Sequence, residues 1–390
     1  MKINIKKIIY YLIYIYITFK FIVYINESFL KILDYVFLTL ITIFIFIYIF
    51  VYNVKVSKDI FIMFLLMLCT IIVQMLFSNF GCTEKIKTTI FLIYIYFIFK
   101  HEIVDNENYS KRNVIYYIVC VYLSLYLLKC LKNGLFLKSD YNFYLLCVPD
   151  KNLSALIIFM FMCFCFNNKK KLGFLISIIY TILLNSRMTQ LGVIIYILLN
   201  IINLKEKKII DKTILKLTTK KIFMIIMLSQ VTLIGISYYF TYNIDTSKIT
   251  DYQESFIDKS NAMRVRSNVY AFKLVKKDYK LIFYGYDNQM KRVLGIEDVY
   301  NSPTFMGFRL VQPHSLFLNM ILTYGLIYSL IYVGIISYFI KKFIDVKNLS
   351  FVIIYIIMNM ILPLLFIGPY LIYFMFVLSS FNKKEVKSWK

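Results

Sequence analysis

Long runs of isoleucine, leucine, phenylalanine and tyrosine alternate along this chain with short polar segments. A helix needs about 20 predominantly apolar residues to cross a hydrocarbon core about 30 Å thick, and about twelve runs approach that length. They fall at residues 8–25, 35–54, 60–80, 88–99, 113–128, 153–166, 172–184, 191–204, 222–242, 315–340, 351–367 and 370–381. The last two are short and are separated only by Gly368 and Pro369. Between the ninth and tenth runs, residues 243–313 form the one polar stretch long enough to fold as more than a connector. The pattern therefore predicts an all-α integral membrane protein in three parts. These are transmembrane helices 1–9 in residues 1–242, a large external loop over 243–313, and helices 10–12 with a tail over 314–390. No internal repeat is visible, which argues against the inverted symmetry of many transporters.

Composition sharpens this picture. Hydrophobic residues make up 60% of the chain and charged residues only 17%, well outside the soluble range. A net charge of +24 would point to nucleic acid in a soluble protein. Here the lysines sit in short loops between apolar runs, so they report topology instead, and no nucleic-acid partner is expected. Taking alternate connections, the basic ones are the N-terminus, Lys55 with Lys58, residues 100–112, NNKKK, residues 205–221, KKFIDVKN and the tail NKKEVKSWK. That side is predicted to be cytoplasmic, with both termini on it. The other side receives the connections around Asn26 and Gly81, residues 129–152, the turn at Ser186, the large loop and the turn at Gly368. The basic start of the chain leads into an apolar stretch too long for a signal peptide, which reads as a retained first span.

Several kinds of chemistry are absent. The seven cysteines fall mostly inside or beside apolar runs, none with zinc-finger spacing, and read as small buried hydrophobes. Two histidines, His101 and His314, cannot build a His-rich metal site. No phosphate-binding glycine loop, dinucleotide fingerprint, HExxH or G-x-S-x-G is present. No cofactor and no metal is expected.

The arginines stand out against a background of lysine. They occur only at 112, 187, 264, 266, 292 and 309. Guanidinium stays charged and grips phosphate with two parallel hydrogen bonds, which lysine cannot do. Arg112, beside Lys111, reads as a topology charge; the other five are predicted to be external. Arg187 lies in NSRMTQ, a tight turn between two apolar runs, with Ser186, Thr189 and Gln190 around it. In mid-bilayer it would cost about 2.5–3.5 kcal/mol, whereas at the interface its stem can snorkel. It is either an interfacial anchor or part of a substrate path, and the second is favoured because charges near the membrane tend to mark such paths.

In the large loop, Val265, Val269, Phe272 and Val275 recur at helical spacing, predicting an amphipathic helix at the membrane surface. It carries Arg264 and Arg266, and Arg266 and Tyr270, four apart, share a face. Lipid attachment and substrate binding are equally open for these cations. The stretch ends in a turn at Gly285. His314 opens the tenth run after Pro313. A lone histidine is more often structural, yet this one could exchange a proton near neutral pH.

Taken in succession, these segments resemble the O-antigen ligase and O-antigen polymerase family. Its members are multispan proteins that transfer glycans from undecaprenyl diphosphate carriers at the outer face of the bacterial cytoplasmic membrane. NSRMTQLGVI resembles the family's S-R-G turn. The segment around Arg266 resembles its R-x-x-x-aromatic helix leading to a glycine turn, and HSLFLNMILTYGL its H-N-x-[FY]-L pattern. VPDKNLSALIIFM resembles the D-x-N-x-x-A segment that opens a span. The likeness covers roughly residues 145–340, and the order and spacing carry it more than any single motif. Met188 stands where the family commonly has Gly, Ser315 where it has Asn, and Tyr286 with Asp287 where a second glycine would follow.

The resemblance implies a metal-independent glycosyltransferase. Arg187 and Arg266, with Arg264 as a substitute, would hold the diphosphate, and His314 would stand near the reacting sugars. Tyr270, Ser186 and Asn152 would complete substrate binding. Implied partners are a lipid-linked glycan donor and acceptor, the bilayer, and a chain-length regulator or flippase. A polymerase of lipid-linked repeat units is the first expectation, a ligase that transfers the glycan to another acceptor the second. A transporter of the lipid-linked unit is the rival of another class; it would be expected to carry charges deep in several spans.

Overall fold

The computed structural model describes residues 5–52, 56–78, 81–100, 114–134, 143–148, 151–205, 217–243, 280–285, 315–345, 348–361 and 368–381. Among them the chain is a bundle of helices with no sheet. In chain order these are α1 (Ile5–Phe21), α2 (Glu27–Tyr52), α3 (Lys58–Phe77), α4 (Thr83–Lys100), α5 (Val114–Lys132), α6 (Lys151–Asn167) and α7 (Lys171–Leu183). There follow α8 (Arg187–Lys205), α9 (Thr219–Asn243), the short α10 (Lys280–Tyr284), α11 (Leu316–Tyr324), α12 (Leu326–Phe343), α13 (Leu349–Ile361) and α14 (Pro369–Ser380). Among the described residues, α2, α3, α5 and α12 are each long and apolar enough to cross a membrane. An all-helical chain of this kind, with large apolar side chains such as Phe46, Phe50, Phe61 and Leu76 exposed on α2 and α3, is a membrane protein.

The centre is built on α6 and α14, which pack on each other. Every residue from Ser154 to Cys165 in α6 and from Leu371 to Ser380 in α14 is buried. Both helices are apolar nearly all round, so each can be enclosed by neighbours without stranding a polar face. α1, α4, α7 and α8 pack around this pair, and α13 joins through α8. Tyr10 and Tyr14 of α1 lie against Phe376 of α14 at centroid distances of 5.5 and 5.4 Å. α2, α3 and α5 lie at the periphery, with most of their apolar surface exposed.

Side-chain contacts define the two ends of the bundle. At one end the Asn167 amide donates to the Ser380 carbonyl, and the Asn200 amide donates to Ser350 Oγ at 3.2 Å. At the other, the Tyr122 hydroxyl accepts from the Tyr24 amide at 3.1 Å. Phe351 at the start of α13 stacks with Phe381 just past α14 at 5.7 Å, so these two short helices form an antiparallel hairpin.

Several helices begin before their apolar runs. α2 starts at Glu27, eight residues ahead of the run at Tyr35, and α4 at Thr83, five ahead of Thr88. Backbone hydrogen bonds must be kept through the interfacial zone, so a helix outlasts its greasy core. In α2 the extra turns place Asp34 on the Lys20 ammonium at 2.6 Å, with the Tyr16 hydroxyl donating to the same carboxylate at 2.9 Å. A second difference lies in the tenth run. Expected as one span over 315–340, it is broken at Gly325 into α11 and α12.

Candidate functional site

The NSRMTQ segment turns at Asn185 and Ser186 and enters α8 at Arg187. α7 ends at Leu183, and Asn185 takes a left-handed backbone with φ 46°, a conformation asparagine tolerates better than most residues. Ser186 precedes α8, and its carbonyl accepts from the Gln190 amide at 2.9 Å to close the first turn. The Ser186 side chain is buried and donates to Asn152 Oδ1 at 3.0 Å. The Thr189 hydroxyl, also buried, donates to Ser186 Oγ at 3.3 Å. Gln190 reaches back across the turn to the Thr181 carbonyl. Thus the first turn of α6 and the first turn of α8, two segments singled out in the sequence, meet directly.

Ser186 and Asn152, both substrate-binding candidates in the sequence, are brought together here by a direct hydrogen bond. Arg187, the first residue of α8, is exposed beside them. It adds a full positive charge to a helix start whose first amides lack intrahelical acceptors, a combination suited to an anion. Met188 is half-buried and packs against the core.

Below the turn, residues 143–148 form a small plug that the sequence read as part of a polar connector. Phe143, Leu145 and Val148 are buried, and Val148 bonds back to Leu145 at 2.9 Å. Ser154 of α6 locks the plug, donating to the Val148 carbonyl at 2.8 Å and accepting from the Leu145 amide at 3.0 Å. Phe143 packs on Tyr180 of α7 at 5.3 Å. The unbroken apolar run from Phe143 to Val148 was the available signal, masked by the charges on either side. Burial pushes the Cys147 thiol up to about 12, the nearby Lys20 ammonium acting the other way.

At the second region, Ser315 is fully buried and caps α11, its hydroxyl accepting from the Leu318 amide at 3.4 Å. Serine is a favoured residue at this position because its oxygen satisfies an amide that the helix start leaves without a partner. A second unpaired amide of this helix start, that of Phe317, donates to Gln230 Oε1 in the middle of α9 at 3.2 Å. At its other end α11 stops at Gly325, with φ 79°, against Gly285, with φ 72°. A Cβ on Gly285 would meet the Gly325 nitrogen at 2.7 Å, and one on Gly325 would meet the Phe283 carbonyl carbon at 2.8 Å. Neither position has room for a side chain, Gly285 lying against the backbone of Thr323 and Gly325, and Gly325 against that of Phe283 and Tyr284. The break in the tenth run is therefore imposed by the docking of α10. His314, Arg264, Arg266 and Tyr270, together with Arg112, Arg292 and Arg309, lie outside the described residues.

One cation was missed. Lys85 is only 1% exposed, whereas its neighbour Ile86 is exposed and Lys87 pairs at the surface with Glu84 at 3.0 Å. The buried stripe of α4 runs Lys85, Thr88, Thr89, Leu92, Ile95 and Tyr96. Its spacing of three and four was the signal, and extending the stripe one turn back from Thr88 finds Lys85. The ammonium sits 5.7 Å from the Tyr328 ring centroid. A lysine in the first turn of a helix opposes the helix dipole at a cost of about 0.3–1 kcal/mol, and burial of a charge adds a penalty on the order of several kcal/mol.

Compared with protein-family models, with curated proteins and with solved structures, the chain matches none.

Proposed function

We propose that this protein is a polysaccharide polymerase of the cytoplasmic membrane that joins oligosaccharide units carried on undecaprenyl diphosphate. In this reading about twelve spans cross the bilayer, the basic connections face the cytoplasm, and the turn at Arg187 and the 243–313 loop face outward. A hydroxyl of the acceptor sugar attacks the anomeric carbon of the donor, and the carrier diphosphate leaves. The donor bond is already activated, so the protein supplies placement and stabilises the departing charge. Arg187 and Arg266 carry the diphosphate, with Arg264 able to replace the latter, and Tyr270, four residues on from Arg266, shares its face. His314 accepts the hydroxyl proton or orients the acceptor.

The observation that carries the reading is the direct union of Asn152, Ser186 and Thr189, which presents Arg187 at a rigid helix start. The docking of Gly285 on Gly325 supports it, because it ties the segment following Arg266 to the helix that follows His314. Purified protein supplied with lipid-linked repeat units provides the test. A ladder of glycan lengths is expected. A single transfer to a different acceptor would identify a ligase instead, and translocation without bond formation would overturn both.

A further inference from the structure

Lys85 faces inward at the head of α4 while Ile86 faces out, the reverse of what a solvated loop charge would do. The hydroxyls beside it are organised about its backbone carbonyl. Thr89 and Tyr328 approach each other at 2.8 Å, and each donates to the Lys85 carbonyl, at 2.8 and 3.0 Å. Thr88 donates to the Tyr324 hydroxyl at 3.1 Å, and the Tyr324 and Tyr328 rings lie 5.3 Å apart. One turn further along α12, the Tyr332 hydroxyl is buried with no partner among the described residues. The Gly285–Gly325 joint closes the same corner, since Gly325 immediately follows Tyr324 and precedes α12. A buried ammonium, an aromatic face and a line of hydroxyls on apolar helices form a polar seam between α4 and α12. Charges inside spans of this sort face the bundle interior and mark substrate paths.

We propose that this seam is an anion site, with Lys85 as its cation, and that it takes a phosphate-bearing headgroup of a lipid ligand. The carrier diphosphate is that ligand if the polymerase reading holds, and this identity rests on that reading. An ammonium is a compact point charge that binds phosphate without the planar fork of arginine, so Lys85 complements Arg187 and does not duplicate it.

The test uses the full chain in nanodiscs and farnesyl diphosphate as the probe. Wild type is expected to bind it. Lys85→Gln is expected to bind at least about tenfold more weakly, and Lys85→Arg within about threefold of wild type, a difference of the size expected for one charge-assisted contact. Equal binding by wild type and a folded Lys85→Gln variant would overturn the assignment of Lys85 alone. Absence of binding by wild type would overturn the functional reading with it. Should the Gln variant fail to fold, a photoactivatable farnesyl diphosphate on wild type decides. Labelling of the Thr83–Lys100 or Leu326–Phe343 peptide, competed by unlabelled diphosphate, supports the site, and labelling confined to other peptides refutes it. Competition of equal strength by phosphatidylglycerol would assign the seam to a bilayer lipid and overturn the carrier proposal.

Discussion

Arg187 and Ser186 are adjacent but face different tasks, and substitution should separate them. Replacing Arg187 by Ala is expected to lower polymer formation about a hundredfold or more, as loss of a donor to a developing charge does elsewhere. Arg187→Lys should restore only part of it, because lysine lacks the paired donors; near wild-type polymer from the lysine variant would refute the bidentate argument. Ser186→Ala and Asn152→Ala should act on stability, each costing about 1–3 kcal/mol by stranding a buried partner. Their effects should not add, since each removes the same hydrogen bond, and a double-mutant cycle by thermal melting measures this. At this scale the sequence was legible where polarity interrupts a greasy run. A charge between two apolar runs marks their junction, and Arg187 indeed stands at the junction of α7 and α8, as the first residue of α8. Lys85 was not, because two lysines either side of Ile86 read as connector, and only the helical stripe distinguishes the one that faces inward.

Elements are set as much by their neighbours as by their own residues. The run 315–340 is apolar throughout, and an isolated glycine in such a run is usually tolerated. It is the carbonyl of Phe283 that forbids a side chain at Gly325, and no local pattern reveals a contact 42 positions away. Gly325→Ala should therefore be strongly destabilising. The left-handed backbone alone costs about 1–2 kcal/mol for an L-residue, and the Phe283 carbonyl must also move. A lowered melting temperature with loss of activity is expected, and a variant as stable as wild type would show that the joint is not tight. The plug at residues 143–148 makes a second prediction. With its thiol held up to about 12 by burial, Cys147 stays protonated well above pH 8. It should resist maleimide in the native protein at pH 8 and react only on denaturation, which mass mapping of labelled peptides would detect.

For the whole molecule, alternation of greasy and basic segments is enough to predict an all-helical membrane protein, and the helices follow. Their arrangement in space is less legible, because in lipid the inside and outside of a bundle are equally apolar. Nothing in the apolar runs of α2 and α14 says that one is peripheral and the other central. Small differences accompany it: α14 ends in Ser380, whose carbonyl accepts from the Asn167 amide, while α2 is walled with Phe46 and Phe50. The burial of α14 has a consequence for biosynthesis. α14 leaves the ribosome well after the helices it packs on, so α1, α4 and α6 enter the membrane with their inner faces bare and wait for a partner more than 200 residues downstream. Chains ending before Pro369 should insert but fail to close. A pulse-chase comparison is expected to show them degraded several-fold faster than chains that include α14, whereas equal lifetimes would mean that the outer helices can assemble around an empty centre.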